Sequence, residues 1–286
     1  MKSRHILALG AALLVLSACD DGSTDEPSAE RQAQVQADPS DESTTTPSFV
    51  LGADWRVSVD EAVAQLRTRD PKLADALYAM EPRSTRAGTA RFTGPLVRNP
   101  IAAAVFLDRL TTQDGASAEV RAALAEALPR TTGPFGAAVI ALLAEESEAS
   151  VRVAMVASLR TADAASALAG LELGLSDTDA TVRLTAARTT ARRTDGVQLE
   201  TPLLAAAADA DLSVKTEAMR TLGVLRIEAA KPLIAAELTA ADADMRLAAV
   251  RALTRIDPAD AASRVGSLTA DADPRVAKAA RKALEN

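Results

Sequence analysis

The chain carries one cysteine, Cys19, and one histidine, His5, in 286 residues. Both fall within the first nineteen positions. Beyond them there is no thiolate nucleophile, no imidazole for a Ser-His-Asp relay and no ordinary zinc ligand set. What remains is carboxylate and guanidinium chemistry. Four Asp-x-Asp pairs stand out: Asp177/Asp179, Asp209/Asp211, Asp242/Asp244 and Asp271/Asp273. Paired oxygens of this kind suit a calcium ion or the free N–H groups at a helix start. No EF-hand glycine or closing glutamate follows any pair, so capping is the simpler reading. No cofactor is expected.

These residues recur because the chain recurs. Val120, Val151, Val182, Val214, Met245 and Val276 are spaced at 31 residues, with a single gap of 32. A basic residue follows five of these apolar anchors: Arg121, Arg152, Arg183, Lys215 and Arg246. Three residues before the anchor stand Ser117, Glu148, Asp179, Asp211, Asp242 and Asp273. Eight residues after it stand Leu128, Leu159, Thr190, Leu222, Leu253 and Leu284. A fixed period of this length means an array of identical supersecondary units. Each unit reads as two antiparallel helices. In the third, residues 165–174 form the first helix and residues 181–192 the second. Apolar residues at i, i+4 and i+8 put one stripe of the second helix toward the core, and the acid before the anchor falls at its N-terminus.

Composition agrees. Aromatics are 2% of the chain and alanine dominates, which suits thin, repetitive helix packing. The sixth residue after the anchor is Arg188, Arg220, Arg251 and Lys282 in the last four units. At about 100° per residue it lies some 240° from the anchor, away from the core stripe. The tenth residue adds Arg192 and Arg255. Six basic side chains along one edge would make a stripe roughly 30 Å long. It would suit an anionic protein surface, lipid head group or polyanion. The alternative is a solvated face whose arginine stems cover alanines.

The copies Asp179-Ala180-Thr181-Val182-Arg183 and Asp242-Ala243-Asp244-Met245-Arg246 resemble short bacterial HEAT-like repeats, in which an acid opens the second helix and Val-Arg follows three residues on. The resemblance covers residues 99–286, and the last copy departs from it with Ala277 in the arginine place. It implies an all-α solenoid of about six helix pairs. It also implies a ladder between neighbouring units, in which Glu148, Asp179, Asp211, Asp242 and Asp273 would pair with Arg121, Arg152, Arg183, Lys215 and Arg246. Some HEAT-like bacterial proteins resemble chromophore lyases, which leaves an enzyme-associated helper as a runner-up.

Residues 49–98 fall outside the period. The spacing predicts a helix over 57–69 with Asp60 as a cap, and a second over 72–80 after Asp70-Pro71. Together they read as a capping unit, since end repeats are atypical. Residues 82–100 read as a loop carrying Arg83, Arg86, Arg91 and Arg98.

Lys2 and Arg4 precede an apolar run over residues 6–16, too short to span a bilayer and suited to a signal h-region. The run ends Leu16-Ser17-Ala18-Cys19, which resembles the bacterial lipobox. That resemblance implies a signal peptide over residues 1–18, a diacylglycerol on Cys19 and a lipid-anchored, exported protein. Asp20 resembles the signal that retains lipoproteins at the inner membrane. Residues 19–48 form a tether with eight acids and one base, too polar to bury a core. The tether thus carries −7 and the signal +2. Since the whole chain is −7, residues 49–286 carry only −2.

The expectation is therefore a non-enzymatic scaffold at the bacterial cell envelope. It binds an unidentified protein partner, with an acidic surface if the basic stripe is the site. Nucleic acid is not expected, because the folded part is slightly acidic and has few aromatics for stacking.

Overall fold

The structure, a computed structural model, describes residues 49–84, 90–112 and 116–285. The signal segment, Cys19, the tether and Arg86 lie outside the described residues. The described chain is an all-α solenoid. Six helix pairs follow one another: α3 (Ala102–Thr111) with α4 (Ala118–Ala127), α5 (Gly136–Glu145) with α6 (Ala149–Ser158), and α7 (Ala164–Leu175) with α8 (Ala180–Thr190). Then come α9 (Glu200–Ala206) with α10 (Leu212–Leu225), α11 (Lys231–Ala236) with α12 (Ala243–Ile256), and α13 (Pro258–Arg264) with α14 (Pro274–Leu284). The second helices α4, α6, α8, α10, α12 and α14 pack in an unbroken row, and α5, α7 and α9 pack in a second row.

The anchors explain the row. Val151, Val182, Val214, Met245 and Val276 are buried, as are the residues four further on, from Leu124 to Ala280. Leu128, Leu159, Thr190, Leu222 and Leu253 are fully buried as well, while Leu284 in the last described helix is about half exposed. Thr190 tolerates burial because its hydroxyl donates to the Ala186 carbonyl at 2.8 Å. Alanines between the anchors let neighbouring helices approach closely. One close approach is at Gly223 in α10, where a Cβ would fall 2.7 Å from the Ala252 Cα of α12.

All second helices but α6 start on a side-chain cap, with Ser117 accepting from the Val120 amide at α4. Asp179 accepts from the amides of Thr181 and Val182, Asp211 from Ser213 and Val214, Asp242 from Met245, and Asp273 from Arg275. Such a cap is worth about 1 kcal/mol. Glu148 makes no such bond, its longer side chain being a poor fit for a cap. The extra residue in the 32-residue gap is absorbed between α8 and α9. There Arg193 forms a bidentate pair with Asp195 and donates to the carbonyls of Leu159, Arg160 and Ala162.

Ahead of the array, α1 (Trp55–Arg69) and α2 (Pro71–Tyr78) pack on α3. Trp55, Val59, Val63, Leu66 and Leu77 are buried there, and α3 is apolar almost all round, with Ile101 to Leu107 shut off from solvent. The cap of α1 is Asp54, not Asp60, which stands inside the helix. The segment expected as a loop contains a two-residue antiparallel pairing, β1 (Arg83–Ser84) with β2 (Ala90–Arg91), and a 3-10 turn over Pro95–Arg98. Phe92 packs against Phe106 with ring centroids 5.3 Å apart, and Arg130 donates to the Phe92 carbonyl at 2.8 Å. Arg91 faces Glu126 at 3.4 Å.

Candidate binding groove

The second helices carry arginines on two edges, and the two sets have different surroundings. On the first edge lie the residues after the anchors. Arg121 grips Glu146, Arg152 grips Asp177, Arg183 grips Asp209 and Arg246 grips Asp271. Each pair joins one unit to the next through Nε and Nη2, at 2.7–2.9 Å. The remaining Nη1 donates to turn carbonyls just ahead of the arginine's own helix, as Arg183 does to Asp177 and Thr178. Every guanidinium nitrogen is thus used, in the planar geometry that arginine supplies and lysine does not.

This corrects the expected pairing. The acids three before the anchor, Asp179, Asp211, Asp242 and Asp273, cap helices. The ladder acids stand five before the anchor: Glu146, Asp177, Asp209 and Asp271. The same carboxylate also accepts the amide of the capping residue two positions on, as Asp177 does from Asp179 at 2.8 Å. One acid therefore shapes the turn and holds the neighbouring unit. At the α10–α12 joint the corresponding residue is Ala240. There Lys215 reaches Glu237 instead, at 2.7 Å, through a single nitrogen.

Electrostatics follow the contacts. The hydrogen bond from Arg183, helped by the Asp211 amide, holds the Asp209 carboxyl below its ordinary range against the effect of burial. At Asp177 burial pushes upward most, but the bonds from Arg152 and the Asp179 amide together outweigh it, and the carboxyl again titrates low. Glu146 behaves likewise, with Arg121 as its partner.

The second edge is the expected basic stripe, and only part of it comes together. Arg188 of α8, Arg220 of α10 and Arg251 of α12 face one groove of about 530 Å³, whose apolar lining includes Leu184, Leu212 and Leu247. Arg192 and Arg255 are exposed but lie outside it, as does Lys282. The groove is less basic than the stripe implied. Glu217, also on α10, is buried between two arginines: its Oε2 accepts from Arg220 Nη1 at 2.7 Å and its Oε1 lies 3.7 Å from Arg188 Nε. Arg275 of α14 joins the rim and pairs with Asp244 at 2.8 Å. Among the described residues, Arg251 makes no ion pair and no side-chain hydrogen bond.

Sequence reasoning passed over Glu217, and a signal for it existed. The third residue after the anchor is Ala123, Ala154, Thr185, Ala248 and Ala279 in the other units, so an acid there is out of pattern and sits three before Arg220 on one helix face. A second polar cluster lies where α1 and α2 meet α3. The Tyr78 hydroxyl donates to Asp108, and burial and that carboxylate push the phenol well above its ordinary range. Arg67 stacks on the Tyr78 ring at 4.9 Å. Among the described residues no group of three or more His, Cys, Asp or Glu side chains is placed to hold a metal ion, and no helix is long and apolar enough to cross a membrane.

The fold and the groove define an α-solenoid with a lined furrow on its row of second helices. Neither a protein-family model nor a curated protein matches the sequence. Similar solved structures include a designed armadillo repeat protein, at TM-score 0.43 and 18% identity over 63% of this chain and 98% of that one. Cex1p is similar at TM-score 0.48 and 15% identity, over 82% of this chain and 54% of its own. An engineered protein is similar at TM-score 0.38 and 20% identity, over 79% of this chain and 95% of its own.

Proposed function

We propose that this protein is a non-catalytic binding scaffold, anchored to a bacterial membrane through a lipid on Cys19, that holds a protein partner in the groove of α8, α10 and α12. The observation that carries the reading is the contrast in arginine exposure. Arg188 and Arg220 are about half exposed at 50% and 55%, whereas the ladder arginines of the same helices and their neighbours are 12–19% exposed. A half-solvated guanidinium above leucine is the surface that binding partners use, because it keeps hydrogen-bonding capacity in hand beside apolar area. The lipobox-like run ending at Cys19 supports export and anchoring, and the acidic tether supports a domain held off the membrane surface.

The test has two arms. Metabolic labelling with a fatty acid tags the wild-type chain and fails to tag Cys19→Ser. Affinity capture from cross-linked membranes compares wild type with an Arg188→Glu, Arg220→Glu, Arg251→Glu variant of unchanged thermal stability. A discrete partner lost in the variant supports the groove. The same partner retained by the variant contradicts it.

A further inference from the structure

The groove differs from a plain basic stripe in a way that defines its ligand. Of its four guanidiniums, Arg188 and Arg220 share one carboxylate and Arg275 holds Asp244. Asp242 at the rim is occupied as a helix cap. Four positive and three negative side chains line the furrow, so its net charge is small. Arg251 is the one cation there with no partner among the described residues. Glu217 is the unusual member. Its side chain is only 9% exposed, yet it is ionisable and set between two arginines. Burying a carboxylate is costly unless it is paired, and an alanine occupies its place in most other units.

Resting on the binding reading above, we propose that Glu217 is the specificity-determining residue of this groove and that the groove takes a peptide segment with a single carboxylate flanked by apolar side chains. Arg251 takes the carboxylate. Leu184, Leu212 and Leu247 take the apolar neighbours. Glu217 neutralises Arg188 and Arg220 from within, so a dense polyanion finds one available cation where the bare stripe would offer three. A ligand that brought several carboxylates would have to displace Glu217, stranding a buried charge, or sit beside it against repulsion. The device is selection by a built-in competitor.

The experiment uses the full mature chain and two fluorescent probes: the peptide Ala-Leu-Ala-Glu-Ala-Leu-Ala, blocked at both ends, and decaglutamate. Titrations are run at two salt concentrations on wild type, Glu217→Gln and Arg251→Ala. Thermal melts confirm that each variant is folded. Wild type is expected to bind the leucine-flanked peptide more tightly than decaglutamate. Arg251→Ala weakens the peptide about tenfold, the scale of one charge-assisted hydrogen bond. Glu217→Gln strengthens decaglutamate about tenfold and steepens its salt dependence, because two more guanidiniums become available. Decaglutamate binding wild type at least as tightly as the peptide overturns the proposal. So does decaglutamate binding that needs Arg251 but is unmoved by Glu217→Gln, and this outcome leaves the groove itself standing. Failure of both probes to bind any folded variant overturns the groove reading together with the role of Glu217.

Discussion

The ladder edge and the groove edge of the second helices use the same residue type for opposite ends. Arg183 and Arg188 stand five positions apart on α8. Arg183 spends every nitrogen on Asp209 and the turn carbonyls of Asp177 and Thr178. Arg188 reaches one carboxylate oxygen at 3.7 Å and is half solvated. The difference is angular. The residue after the anchor points to the seam where the next unit's turn arrives, and the sixth residue after the anchor points to the furrow between helices. A guanidinium at a seam is bound by backbone it cannot leave. One over a furrow has capacity for a ligand.

The ladder itself contains an internal contrast that mutation can sharpen. The α10–α12 joint alone among the five lacks the bidentate rung, and there Gly223 lets the backbone of α10 lie close against Ala252 of α12. Packing there replaces the clamp. Gly223→Leu should therefore have the largest effect, a loss of about 3 kcal/mol, since the obstruction is helix backbone that cannot move aside locally. Denaturant unfolding measures it. At a clamped joint, Arg152→Ala should cost about 2 kcal/mol, because it leaves the Asp177 carboxylate partly buried without its main partner. The same titration, with groove binding followed in parallel, should show the groove unaffected.

Acid acts on the clamped joints together. Glu146, Asp177 and Asp209 titrate lower in the folded chain than their ordinary values. Their contribution is complete above about pH 5, past the ordinary carboxylate range, and is lost as pH falls through the depressed folded values. Stability should thus hold flat above pH 5 on their account and fall below pH 4. A variant carrying Glu146→Gln, Asp177→Asn and Asp209→Asn should be less stable at pH 7 and lose less on acidification. The smallest effect is a gain. Lys215→Arg with Ala240→Asp should build the missing rung and raise stability by about 0.5–1 kcal/mol, visible as a higher melting temperature than either single change gives.

Much of this architecture was legible in the repeat alone. The anchors and their fourth and eighth followers mark the buried stripe because a helix returns to the same face at those intervals, and the six pairs follow from the period. The ladder was legible in its basic half. Its acids were not, because Asp-x-Asp places two carboxylates at each turn and spacing cannot say which caps and which reaches across. The exception at Asp242/Asp244 is informative: there the pair is shifted by two, leaving Ala240 at the ladder place, so the acid three before the anchor is common to more units than the one five before. Asp54 rather than Asp60 caps α1 because Trp55 and Val59 are buried on its core face, so the helix starts two residues earlier than its apolar spacing suggested. The groove was legible as a stripe of Arg188, Arg220 and Arg251. The burial of Glu217 among them was not, since it depends on how α8 and α10 are juxtaposed.

The most direct test sets the two edges against each other on two second helices, α8 and α12. Arg183→Ala and Arg251→Ala are compared for melting temperature and, well below the melting range, for affinity toward the blocked Ala-Leu-Ala-Glu-Ala-Leu-Ala peptide. Arg183→Ala should lower the melting temperature and leave affinity unchanged, while Arg251→Ala should leave the melting temperature unchanged and weaken binding about tenfold. An Arg251→Ala protein that melts as early as Arg183→Ala, or a folded Arg183→Ala protein that no longer binds the peptide, would contradict the division of labour between the two edges.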